Sequence, residues 1–157
     1  MPPIQIGRGI MPKKATADDA QIIMRLYDLR REAEMRKARQ WYAGWWPRNA
    51  DDVLQVLNAF GTPENAWFRQ VNGYWDMAAS FVLHGAVNEE LFWDSSGEMW
   101  FVLSKLQPFL KEVRQKANIP QGFTRVEKVA TGTKNGRERL QMMLKRAEAR
   151  RATAAKA

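Results

Sequence analysis

Glu90, Asp94 and Glu98 are spaced four residues apart. On one continuous helix this spacing stacks three carboxylates in a row. Such a row can hold a hard divalent cation or act as an acid–base pair. No histidine joins them, and Ser95-Ser96-Gly97 interrupts the helical pattern between the second and third. The plainer expectation is a solvated surface, a pairing with a helix N-terminus, or a dock for the basic tail. His84 is the chain's only histidine and stands just before Gly85. A positive group there suits the carbonyl end of a helix, and no Gly-x-Ser-x-Gly nucleophile motif accompanies it. Gly132-Thr133-Lys134-Asn135-Gly136 has the glycines and lysine of a phosphate loop but not the Gly-Lys-Ser/Thr order, so it reads as a hinge. Cysteine is absent, which excludes thiol catalysis, disulfides, Cys-ligated zinc and iron–sulfur clusters. The residues therefore predict no catalytic, cofactor-binding or metal-ligating side chain, and the expectation is a non-enzyme.

Two other features are suited to binding. Trp41-Tyr42-Ala43-Gly44-Trp45-Trp46 is the densest aromatic cluster. Exposed rings can stack on bases or form an interface; the favoured reading is core or inter-subunit packing, with Trp41, Tyr42, Trp45 and Trp46 as candidate protein-interface residues. The second feature is the C-terminal charge. The chain of 157 residues has a net charge of +8, yet residues 125–157 contain ten Lys/Arg against three acids. That stretch carries +7, which leaves +1 for the rest. Lys134, Arg137, Arg139, Lys145, Arg146, Arg150 and Arg151 are the candidate contacts to nucleic acid or another anionic partner. Leu140, Met143, Leu144 and Ala147 share one helical stripe, and Arg139, Arg146 and Arg150 share another. A basic amphipathic helix of this kind suits phosphates, an anionic membrane or an acidic protein.

The elements that position these residues read as helices. Thr16 caps a helix with Asp18 and Asp19 in its first turn, and Pro47 ends it near Trp46. Its apolar stripes, Ile22-Leu26-Leu29-Ala33 and Met35-Ala38-Tyr42-Trp45, are offset by about 200°, so its two halves face different partners, one of which can be another chain. Asn49 caps a helix over 50–60. Thr62-Pro63 starts another, which carries Trp67, Phe68, Val71, Trp75 and Phe81 and should be the most buried. Gly85 stops it. Shorter segments follow, broken at Asp94–Gly97, Pro108 and Asn118–Gly122, and then a final helix from about Arg137. No alternating strand pattern or internal repeat appears. The expected fold is all-α: an irregular bundle of about five to seven helices with a long first helix and a basic C-terminal helix. The expected organisation is a flexible arm over 1–15, a helical domain over 16–131 and a tail helix over 132–157. Neither a signal peptide nor a membrane span is legible, so the expected compartment is the cytoplasm.

Residues 73–130 resemble the bacterial domain-of-unknown-function family 4760. The resemblance rests on Gly73-Tyr74-Trp75-Asp76-Met77 and Leu83-His84-Gly85-Ala86-Val87-Asn88-Glu89-Glu90-Leu91. It continues through Trp100, Leu106, Gln107-Pro108-Phe109, Arg114 and Phe123-Thr124-Arg125-Val126-Glu127. It implies a helical fold and supplies no activity or catalytic residue. The leading functional expectation is a helical protein-interaction module or homo-oligomer with a basic tail for electrostatic attachment. Alternatives are a nucleic-acid or ribosome-associated protein binding through residues 134–157, and a carboxylate–metal enzyme using Glu90, Asp94 and Glu98.

Overall fold

A computed structural model of the chain describes residues 13–156. Residues 1–12 of the expected arm lie outside them. Nine α-helices make up the fold among the described residues: α1 (Ala17–Arg31), α2 (Ala33–Gly44), α3 (Ala50–Asn58), α4 (Pro63–Leu83), α5 (Glu89–Ser95), α6 (Gly97–Leu106), α7 (Leu110–Lys116), α8 (Thr124–Thr131) and α9 (Lys134–Lys156). A 3-10 turn at Gln107–Phe109 joins α6 to α7. The all-α expectation holds, and no helix among the described residues is long and apolar enough to cross a membrane.

The expected long first helix is instead two helices. Glu32 leaves the helical conformation (φ −58°, ψ 145°), and its carboxylate accepts hydrogen bonds from the backbone N–H groups of Glu34 and Met35. The offset between the apolar stripes is thus taken up by a break in the helix, with α1 against α5 and α2 against α4. The buried face of α1 also differs from the expected stripe. Asp19, Leu26 and Arg30 turn inward, while Leu29 and Ala33 stay exposed. Arg30 is held inside because both its terminal nitrogens donate to the Ser95 carbonyl at 3.2 Å, with the guanidinium over the Trp75 ring.

The helix starts follow the expected caps. Thr16 and Asp19 form a reciprocal capping box, Asn49 accepts from Asp52 N–H, Thr62 accepts from Asn65 N–H, and Asn88 accepts from Leu91 N–H. At the end of α4, Gly85 takes φ +70° and Ala86 N–H donates to the Phe81 carbonyl at 2.8 Å. This closes the helix in the left-handed manner that favours glycine.

Helix α4 runs through the centre as expected, with Phe68, Val71, Trp75, Ala78 and Ala79 buried. It packs against α2, α3 and α8. Helix α6 is as deeply placed: Met99, Trp100, Val102, Leu103, Ser104, Lys105 and Leu106 are all buried. Helix α9 lies along α6 and α8, with Leu140 and Ala147 in the interface. Only Gly132 and Thr133 separate α8 from α9, and the expected hinge there is a tied corner. Trp100 Nε1 bridges the carbonyls of Ala130 (3.3 Å) and Gly136 (3.0 Å), and Arg137 donates to the Thr131 carbonyl at 2.9 Å.

Candidate binding groove between α2, α6 and α9

The docking of α9 against α6 creates a groove of about 640 Å³ whose far wall is the end of α2. Trp46, Phe101 and Met143 supply its apolar surface, and Arg146 and Arg150 line it from α9. The Trp46 and Phe101 rings meet edge to face at 6.1 Å. Arg146 and Arg150 are exposed, and neither joins an ion pair among the described residues. The aromatic surface can cover an apolar side chain while the two guanidinium groups accept a carboxylate or phosphate.

One end of the groove is closed by an ion pair. Arg39 Nε reaches both Glu98 oxygens at 2.9 and 3.0 Å, and Trp75 Nε1 donates to the same carboxylate at 3.3 Å. That carboxylate is therefore already engaged and does not compete for Arg146 or Arg150.

Beneath the groove lies a group that the sequence pattern did not single out. Lys105 is fully buried in the last turn of α6. Its ammonium donates to the carbonyls of Tyr42, Ala43 (3.0 Å) and Trp45 (2.6 Å) at the end of α2; the Tyr42 carbonyl also accepts from Trp45 N–H at 3.2 Å. The Trp46 ring lies 3.8 Å from the same nitrogen, and the Phe101 ring 4.7 Å. No carboxylate faces it. Burial, with the positive charge of Arg151 nearby, pushes the Lys105 ammonium down to about 7. The only signal in the sequence was a lone cation inside the apolar run Trp100–Leu106.

The seven tail cations expected to act together divide into separate roles. Arg151 turns inward and donates to the carbonyls of Pro47 (2.7 Å), Ser104 (3.3 Å) and Lys105 (3.0 Å). Arg139 lies over the Trp100 ring at 4.9 Å. Both help hold α9 to the body; Arg151 donates to backbone carbonyls, whereas Arg139 makes no hydrogen bond among the described residues. Arg146 and Arg150 line the groove. Lys134, Arg137 and Lys145 line a second, shallow surface beside the exposed Met142, which Arg146 also borders. The stripe Leu140-Met143-Leu144-Ala147 is the docked face, as its spacing implied.

Of the aromatic cluster only Tyr42 is buried; Trp41, Trp45 and Trp46 are half-buried. Tyr42 is 1% exposed and donates to the Val102 carbonyl at 3.2 Å, so it is a core residue rather than an interface residue. Trp41 stacks on Trp45 at 5.4 Å and leans on Trp67, while Trp45 meets Phe68 edge to face at 5.5 Å. Of the four, only Trp46 reaches the groove.

The carboxylate row does not converge. Glu90 and Asp94 line a cleft with Lys13, Lys14 and Trp93, whereas Glu98 faces Arg39 across the break at Ser96. Among the described residues no group of three His, Cys, Asp or Glu side chains stands close enough to hold a metal ion. His84 is an exposed C-cap whose backbone N–H donates to the Ser80 carbonyl at 3.0 Å.

The family described as "Domain of unknown function (DUF4760)" matches residues 15–133. The chain belongs to this family. Searches of curated proteins and of solved structures each find no match. The family match is wider than the resemblance legible in residues 73–130, since it takes in α1 to α3 as well. It stops as α9 begins, so the groove combines a DUF4760 body with a helix that lies beyond the matched region.

Proposed function

We propose that the chain is a non-enzymatic helical interaction module whose groove between α2, α6 and α9 takes an acidic, apolar-faced segment of a protein partner. The observation that carries this reading is the pairing of unpartnered Arg146 and Arg150 with the Trp46, Phe101 and Met143 surface. Aromatic side chains and arginine together are the residue types that most often dominate binding energy at protein interfaces. The remaining exposed cations of α9, Lys134, Arg137, Lys145 and Lys156, lie outside the groove; they supply long-range attraction that speeds encounter with an acidic partner without fixing its pose.

Fluorescence anisotropy with two labelled probes tests this reading. One is a helical peptide with glutamates on one face and leucines on the other; the second is mixed-sequence single-stranded DNA. The peptide should bind, and Arg146→Ala with Arg150→Ala should weaken it more than tenfold, or about 1.4 kcal/mol or more. Replacing Lys134, Arg137 and Lys145 by alanine should cost less and act through the salt dependence. Tighter binding of DNA, lost with Lys134, Arg137 and Lys145 rather than with Arg146 and Arg150, would replace this reading with the nucleic-acid one.

A further inference from the structure

Two of the seven large apolar side chains exposed among the described residues, Leu29 of α1 and Met77 of α4, share one face. Exposed apolar surface shared by two helices marks an interaction face. Between the two helices runs a second groove of about 550 Å³, lined by Ile22, Leu29, Met77 and Phe81 with Asp18 and Arg25 beside them. Asp18, Ile22, Arg25 and Leu29 follow one another at intervals of four, three and four, which makes them a single row along α1.

From this row we infer that the α1–α4 face is a symmetric interface with a second copy of this chain. The row is complementary to itself. Asp18 and Arg25 lie about 10 Å apart along the helix axis. A two-fold axis passing between Gln21 and Ile22 would set two α1 helices antiparallel. Asp18 of each copy would then oppose Arg25 of the other, with Ile22 between the two pairs. Neither Asp18 nor Arg25 has an ion-pair partner among the described residues. Within one chain α4 runs antiparallel to α1: Tyr74 donates to the Leu26 carbonyl at 2.7 Å, and Asn88, just past α4, donates from its N–H to Asp19 at 3.0 Å. Leu29 of one copy would therefore reach toward the C-terminal end of α4 in the other. Charge also selects this face. Of the chain's +8, +7 lies in residues 125–157, outside this row. The Asp18–Arg25 row is neutral.

Sedimentation equilibrium of the full chain over a wide dilution series tests the inference. Wild type should show a reversible monomer–dimer equilibrium. Asp18→Arg and Arg25→Asp should each weaken it about tenfold, because each creates two like-charge contacts. The double variant D18R/R25D should recover the wild-type constant, and Ile22→Glu should leave only monomer. Thermal melts confirm that each variant is folded. A wild type that stays monomeric throughout, or a dimer indifferent to the single charge changes, would overturn the inference. So would a double variant no better than the singles. The variant lacking Arg146 and Arg150 should dimerise as wild type does, so this inference and the groove reading can fail independently.

Discussion

Arg151, near the C-terminal end of the last helix, donates a hydrogen bond at 3.0 Å to the main-chain carbonyl of Lys105, the residue whose own ammonium closes the end of α2. The two cations form a relay: α9 holds the end of α6, and α6 holds the end of α2. Among the described residues neither cation forms an ion pair with an acidic side chain. Backbone carbonyls supply the negative partial charge, most of them at the ends of α2 and α6. This relay holds together the three helices that form the groove.

Replacing Arg151 by glutamine should release the end of α9. A hydrogen bond from a charged donor contributes about 1.5–3 kcal/mol; Arg151 makes three such bonds from a partly exposed position. The expected loss is about 2 kcal/mol in urea unfolding. Hydrogen exchange should speed up in residues 145–156 and remain slow in α4. Unchanged protection in α9 would show that the apolar stripe docks the helix without the relay.

Lys105 predicts a particular pH dependence. Its ammonium titrates near 7 in the folded chain and near the ordinary lysine value of 10.5 when unfolded. Between those values the unfolded state binds a proton that the folded state has released, so stability rises with pH. Below about 7 both states are protonated and the burial cost is present in full. Comparing wild type with Lys105→Met cancels the other titrations. The wild type should gain on the variant by roughly 3–5 kcal/mol between pH 7 and pH 10. A stability difference that stays flat across that range would mean that the carbonyls and rings keep Lys105 charged.

Gly136 should be intolerant of a side chain. A Cβ there collides with the Ala130 carbonyl oxygen, and the glycine's own carbonyl accepts from Trp100 Nε1 at 3.0 Å. The Ala130 carbonyl is main chain and cannot swing aside. Gly136→Ala should cost about 2–3 kcal/mol and alter the Trp100 indole N–H resonance. Gly132→Ala should cost less, because its Cβ would meet the Lys128 carbonyl oxygen at 2.9 Å, a milder clash than at Gly136.

Much of the fold was legible from local chemistry. Thr16, Asn49, Thr62 and Asn88 cap the helices that their positions implied, since a cap is a contact within one turn and needs no knowledge of the rest of the chain. The break at Glu32 was not legible as a break. Nothing in Arg31-Glu32-Ala33 disfavours helix, and only the tertiary placement of Leu26 and Met35 against different neighbours makes the chain turn there. The groove was half legible. The Arg139-Arg146-Arg150 stripe was evident, but its division between Trp100 and the groove depends on where α6 runs. Lys105 was not singled out, and Arg151 was read as a contact to an anionic partner, because their partners are backbone carbonyls, which leave no mark in a sequence.

The central claim is that the surface formed by Trp46, Phe101, Met143, Arg146 and Arg150 is the binding site. Titrating the isotopically labelled chain with the acidic amphipathic peptide, and following amide and indole N–H shifts by two-dimensional NMR, tests it most directly. The account predicts saturable shifts at Trp46, Phe101, Met143, Arg146 and Arg150, with α3 and α7 unmoved. Saturable shifts confined to other surfaces, or none at all, would contradict it.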